Sequence, residues 1–272
     1  MLSDNAEKLI KEYFNLPFPG MDGVRTPYFN NARKKQRGQL KVLVGKGTPK
    51  EIVEEAQIIS VQYHLGFFDK SGECCIHRGE AGCERLAPKD IHNFLVDRNL
   101  GVDCSGFASQ VLRQHFLDSH QLDIAKTFVL ARASGWLRRL VAKLRPIENM
   151  GVRVWAEDAN TEVVTNWQDI QVVDVIVALQ TGPEHKRNHI LVVTNVIKRE
   201  DEYAIQYVHA RAWPSEGKYN HGVARGEIKI NTNTGSIVDG IWEELGKVGE
   251  ANETWTGEIK NAVQVQIRRV RI

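Results

Sequence analysis

The apolar residues of this chain change their period once, near residue 150, and that change limits the fold more than any other feature. Upstream they recur every three or four positions, as in Ala6, Leu9, Ile10, Tyr13 and Phe14, or Ile52, Val53, Ala56, Ile59 and Tyr63. Downstream they alternate or form short apolar runs: Val172–Leu179, His189–Val196, Tyr203–Ala210, then Ile228 and Ile230, then Val263, Val265 and Ile267. Helical spacing first and period-2 spacing afterwards predict an α+β fold, with helices packed on a central antiparallel sheet.

Local signals place the elements. Residues 3–14 read as a helix with Asp4 and Glu7 at capping-box spacing, ended by Pro17 and Pro19. Thr48-Pro49-Lys50-Glu51 is a complete helix start, with Thr as N-cap, Pro at the first position and Glu at the third. That start also accounts for Gly45-Lys46-Gly47-Thr48, which lacks the order of a phosphate loop. Leu40, Val42 and Val44 alternate and predict an extended segment, as does Val152-Arg153-Val154-Trp155. Helices are expected over 88–98 and over 121–144, the latter interrupted near Ser134-Gly135 and stopped by Pro146. Trp242 and Trp255 fall in connecting segments, as packing residues.

With 272 residues the chain can bury a real core. Its net charge of +2 creates no field that demands nucleic acid, and nucleic acid is not an expected partner. No apolar run reaches the roughly 18 residues of a membrane span, and the first thirty residues lack a signal-peptide pattern. The expectation is a chain that is cytoplasmic as synthesised, with no membrane partner. Four cysteines, two of them adjacent, do not form a secreted disulfide framework. Cys74, Cys75, His77 and Cys83 fit zinc spacing poorly and read as free thiols or a local disulfide, so no metal and no cofactor is expected. The basic runs at 33–41 and 132–145 read as solvated faces, with contact to an anionic polymer as the alternative.

One cysteine stands apart. In Gly101-Val102-Asp103-Cys104-Ser105-Gly106-Phe107, a turn signal precedes the helical series Phe107, Val111, Leu112, Phe116. Gly101 can supply the positive φ that ends the preceding helix. Cys104 then sits at a helix N-terminus, where unpaired amides and the positive dipole end favour thiolate, and such thiols titrate at roughly 3.5–7.5. Ser105 and Gly106 are small enough to let a substrate carbonyl approach the backbone.

A thiolate nucleophile needs a base and a group to orient it. Of nine histidines, His189 opens an apolar strand, where an imidazole is costly unless used. His209 ends the next one. The charged turn 198–202 joins them in a hairpin. A turn centred on Arg199 sets His189 opposite His209; moving the centre by one residue sets Leu191 opposite His209 and leaves the histidines two positions apart on one face.

Asp103-Cys104-Ser105-Gly106-Phe107 before a helix, His189-Ile190-Leu191-Val192-Val193 opening a strand, and Val208-His209-Ala210 on the following strand together resemble the NlpC/P60 family of papain-like cysteine peptidases. The resemblance covers roughly 88–230. It implies a papain-like catalytic domain over 88–272 and leaves 1–87 as a mostly helical N-terminal extension with a cysteine-bearing insert at about 68–86. It implies hydrolysis of amide bonds in peptidoglycan stem peptides or related γ-glutamyl peptides. Cys104 would be nucleophile, His189 base and His209 orienter, the Cys104 amide would serve the oxyanion, and Asp103 and Ser105 would line the substrate site. The chain departs from the family in lacking a Tyr-x-x-Gly-Gly segment before the cysteine and in the longer His189–His209 spacing. Reaching a cell wall would require release or delivery by another route. Two other readings keep the same residues: a cytoplasmic acyltransferase, transglutaminase or deamidase, and a catalytically inactive binding module with basic surfaces.

Overall fold

The computed structural model of the chain describes residues 1–29, 41–68, 72, 76–77, 83–84, 86–130 and 136–272, with backbone only at 76–77, 83–84 and 137–139. The helices that precede the main sheet include α1 (Asp4–Phe14), α2 (Pro49–Gln62), α3 (Pro88–Asp97) and α4 (Cys104–His120). Short strands β1 (Ile76–His77) and β2 (Cys83–Glu84) pair within the insert. The large sheet comprises β3 (Thr161–Val163), β4 (Val175–Thr181), β5 (Arg187–Lys198), β6 (Glu202–Arg211), β7 (Gly222–Asn231), β8 (Ile241–Glu244), β9 (Lys247–Val248) and β10 (Gln264–Val270). Its order is β3-β10-β4-β5-β6-β7-β8-β9, with every described pair antiparallel. This is the α+β arrangement that the change of period predicts.

Strand alternation divides the core into two layers. Ile190 and Val192 of β5, with Val208 and Ala210 of β6, face α4 and join Phe107, Val111 and Leu112. Leu191, Val193, Ile205 and Tyr207 face the other way and pack with Trp242, Ile176 and Ile259. Trp242 is thus a fully buried strand residue of β8 rather than part of a connection.

Capping reads well from the sequence where the cap is local. Thr48 and Glu51 form the reciprocal capping box at α2. At α1 the cap is Ser3, one residue before the expected Asp4. Three backbone expectations differ. Lys41–Val44 forms a 3₁₀ turn, which brings Val42 and Val44 into the core without a strand partner. Val152–Trp155 is one helical turn, fixed by Trp155, whose Nε1 donates to Ser109 Oγ at 3.2 Å and whose ring packs against Phe128. Finally, Asn99 (φ 56°) takes the left-handed conformation after α3, not Gly101. Gly101 is needed for space: a Cβ there would lie 2.3 Å from the Pro27 carbonyl oxygen.

The stretch 121–144 is helical only over Ile124–Thr127 and Trp136–Leu144 among the described residues. Trp136, Leu140 and Leu144 of the second piece are exposed. The basic run at 33–41 lies outside the described residues except for Lys41, as do Cys74 and Cys75, read as free thiols or a local disulfide.

The described part of residues 1–87 shares the core of the rest. Leu2, Ile10, Tyr13 and Ile52 belong to the layer that holds Cys104 and Phe107. The Tyr13 ring meets Phe107 edge-on at 5.1 Å. Val102 bridges both Tyr28 and Lys46.

Candidate active site

Cys104 opens α4 behind Asp103, whose extended backbone and side-chain oxygen cap the helix at the Gly106 amide. The helix start is held from below by residues 45–46. The Asp103 amide donates to the Gly45 carbonyl at 2.9 Å, and Lys46 Nζ donates to Asp103 Oδ1 (2.9 Å), Ser105 Oγ and the Met150 carbonyl (3.2 Å). Ser105 Oγ also donates to Asp103 Oδ1 at 2.9 Å. Asp103 Oδ1 and Ser105 are therefore engaged with a lysine of the chain itself. The room beside Gly106 is likewise filled: a Cβ there would lie 2.1 Å from the Gly45 carbonyl oxygen. Small residues at 105 and 106 admit this loop, where the sequence suggested a substrate carbonyl.

The thiol reaches β5. Sγ lies 4.0 Å from the Asn188 carbonyl oxygen, and the Ile190 amide points to it. These two groups flank His189. Among the described residues no hydrogen bond joins Sγ to the imidazole itself.

The depressed thiol pKa expected from the helix terminus is not found. Burial pushes the Cys104 thiol up to about 12, the Asp103 carboxylate adds to the rise, and Lys46 offsets only part of it. A half charge at a helix end is worth about 0.3–2 kcal/mol, whereas taking a thiolate out of water costs several. The capping carboxylate that starts the helix also repels negative sulfur. At rest the cysteine is a neutral thiol.

The histidines do come together. His189 Nε2 and His209 Nδ1 are 2.7 Å apart, with the rings edge-on. A β-bulge makes this possible. From Lys198↔Tyr203 to Asn195↔Gln206 the register would put His189 and His209 on opposite faces; Thr194 is then skipped, and Val193↔Tyr207 and Val192↔Val208 restore matched parity. Extending the shifted register sets Leu191 opposite His209, the second of the two sequence alternatives. Paired residues end at Val192↔Val208, and beyond that point Sγ meets the β5 backbone.

Beyond His209 the sequence offered no partner, and the structure supplies one. His209 Nε2 lies 3.0 Å from Glu244 Oε2 on β8. Thr254 Oγ1 donates to the same oxygen at 3.0 Å and Tyr207 Oη at 3.4 Å, while Arg211 Nε donates to Oε1. Arg211 also pairs with Glu216. His209 and Glu244 are both withdrawn from solvent. Burial pushes the Glu244 carboxyl up, but His209 and Arg211 outweigh it and hold the pKa below the usual value. Burial, then His209 and the neighbouring arginines, hold His189 well below the ordinary imidazole range, so it is neutral. A signal for Glu244 existed: it shares strand parity with Trp242, so a buried tryptophan in Ile241-Trp242-Glu243-Glu244 implies a buried glutamate. Lys46 carried no comparable signal.

A further charged pair includes Glu258, whose carboxylate adds to the rise of the Cys104 thiol. Arg187 Nη2 lies 3.0 Å from Glu258 Oε1, and Thr181 Oγ1 donates to Glu258 Oε2. Glu258 sits on a π-helical turn, Trp255–Ile259, a distortion often found at functional sites. No cluster of metal-ligating side chains occurs among the described residues. A scan against protein-family models, a search of curated proteins and a search of solved structures each returned no match for this chain.

Proposed function

We propose that the chain is a papain-like cysteine hydrolase that cleaves amide bonds, with peptidoglycan stem peptides or related γ-glutamyl peptides as substrates. The observation that carries the reading is the sulfur of a helix-opening cysteine seated against the backbone on both sides of His189, whose ring is in turn bonded to His209. The resemblance of the Asp103–Phe107, His189–Val193 and Val208–Ala210 segments to NlpC/P60 peptidases supplies the substrate class.

In this reading His189 removes the thiol proton as Sγ attacks the carbonyl carbon. The neutral state of both groups at rest makes this a proton transfer coupled to attack, rather than reaction of a standing ion pair. The tetrahedral oxyanion draws on the Cys104 N–H at the start of α4. His189 then delivers its proton to the leaving amine, and a thioester remains on Cys104. Water, deprotonated by His189, attacks the thioester; a carboxylic acid leaves and the thiol is restored.

The test is hydrolysis of purified stem peptides followed by mass spectrometry, in wild type and Cys104→Ala. The expected outcome is a new carboxylate and a new amine from wild type, none from Cys104→Ala, and the same circular dichroism for both. Turnover retained in Cys104→Ala would end the proposal. An added primary amine appearing in the product would move the assignment to acyl transfer at the same residue.

A further inference from the structure

The Glu244 carboxylate dictates where protons sit two rings away. An ionised carboxylate only accepts hydrogen bonds, and Glu244 Oε2 faces His209 Nε2 at 3.0 Å. His209 Nε2 must therefore carry a hydrogen. With a single hydrogen on the His209 ring, held at Nε2, Nδ1 is bare and accepts, and its partner at 2.7 Å is His189 Nε2. That nitrogen must carry the hydrogen. Since His189 is neutral, its Nδ1 is left with a lone pair. Nδ1 is the ring nitrogen nearer the backbone against which Cys104 Sγ lies.

We propose that Glu244 is a positioning residue that fixes the tautomers of His209 and His189 and so leaves the base nitrogen of His189 unprotonated. The assignment of that nitrogen as the base rests on the hydrolase reading; the proton order itself does not. The environment of Glu244 holds it to this task. Arg211 occupies Oε1, and Thr254 and Tyr207 give their protons to Oε2, so every neighbour is a donor and the carboxylate has no other role open to it. When His189 becomes an imidazolium during the reaction, its Nε2–H still donates to His209 and His209 still donates to Glu244. No hydrogen bond has to reorganise as the charge appears, the condition under which buried dipoles stabilise it best.

Glu244→Gln separates this from a role in stability alone. The carboxamide oxygen must stay on Arg211, because the NH₂ there would face an N–H. The NH₂ is then forced onto His209 Nε2, which has to accept. His209 would carry its hydrogen on Nδ1 and donate it to His189 Nε2, and His189 would carry its own on Nδ1. Both tautomers reverse, and the nitrogen needed by Cys104 is blocked.

The measurement is long-range proton–nitrogen correlation spectroscopy on the full chain labelled at histidine, with His189→Gln and His209→Gln used to assign the two rings. Wild type is expected to show Nε2–H and bare Nδ1 in both rings, and Glu244→Gln the reverse in both. Stem-peptide turnover should fall on the order of 10²–10⁴-fold in Glu244→Gln, the scale of a wrong-tautomer defect, and Thr254→Val, which keeps the carboxylate, should keep the wild-type tautomers. A wild-type spectrum with Nδ1–H in either ring overturns the inference even if Glu244→Gln does not fold. So does a Glu244→Gln spectrum identical to wild type. The tautomers as stated without Cys104-dependent hydrolysis would defeat the hydrolase reading and leave this one standing; hydrolysis with the opposite tautomers would do the converse.

Discussion

The buried thiol makes a quantitative prediction that runs against the expectation from its place in the helix. An ordinary cysteine titrates near 8.5, so at pH 8 about a quarter of it is thiolate. Held at about 12, Cys104 would have only about one part in ten thousand in that form. Alkylation proceeds through the thiolate, so iodoacetamide should modify Cys104 roughly a thousandfold more slowly than a free thiol. Site-resolved mass spectrometry over pH 6–10 reads this directly. The same shift must appear in stability. Its sign follows from proton counting: between about 8.5 and 12 the unfolded chain has released the thiol proton and the folded chain has not. The unfolded state binds fewer protons there, so stability falls as pH rises. At 1.36 kcal/mol per unit, the loss is about 1.4 kcal/mol by pH 9.5 and about 4 kcal/mol by the end of the window. Cys104→Ala lacks the titrating group, so the difference between urea unfolding curves of wild type and Cys104→Ala isolates the effect. Parallel stability profiles from pH 7.5 to 9.5, together with an alkylation pKa at or below 8.5, would refute the argument that burial outweighs the helix terminus.

Two further perturbations address how the site is held. Gly106→Ala drives a methyl group to 2.1 Å from the Gly45 carbonyl oxygen, backbone on both sides, and breaks the bond from the Asp103 amide to Gly45. Overpacking of this kind costs about 1–3 kcal/mol, seen as a fall of several degrees in Tm at roughly 2–4 °C per kcal/mol; an unchanged Tm would show that the loop is free to move away. Lys46→Met leaves the Asp103 carboxylate and Ser105 hydroxyl without their cation. Breaking a buried pair costs about 3–5 kcal/mol, and because the Asp103 side chain keeps 17% exposure the lower end applies. A melt lowered on the order of 10 °C is expected, with most of the loss recovered in Lys46→Met/Asp103→Asn. Recovery would fail if Lys46 mattered only for packing.

Several parts of the site were readable before any coordinate. Cys104 opening a helix, and His189 and His209 on adjacent strands, each depend on interactions within a few residues or within one hairpin. The hairpin even narrowed the register to two choices. The register beside the turn, Lys198↔Tyr203, matched neither; skipping Thr194 restored the second, and no composition rule marks Thr194 as the residue to be skipped. What lies beside Ser105 and Gly106 was hidden for a related reason. Both were read as openings toward substrate, yet small residues leave space without saying what fills it, and here Gly45 and Lys46 arrive from about sixty positions upstream.

Sequence alone determined the α+β class and the main helices and strands, because hydrophobic period acts over one turn or one strand. Tertiary structure decided the chemistry. Whether Cys104 is thiol or thiolate depends on how much water the assembled core removes from it, and that is a sum over Asp103, Lys46, β5 and the layer behind them. Which nitrogen of His189 holds a proton depends on Glu244, thirty-five residues beyond His209 and brought there only by the sheet order β6-β7-β8. Desolvation and proton order are properties of contacts between distant segments, and a local pattern carries neither.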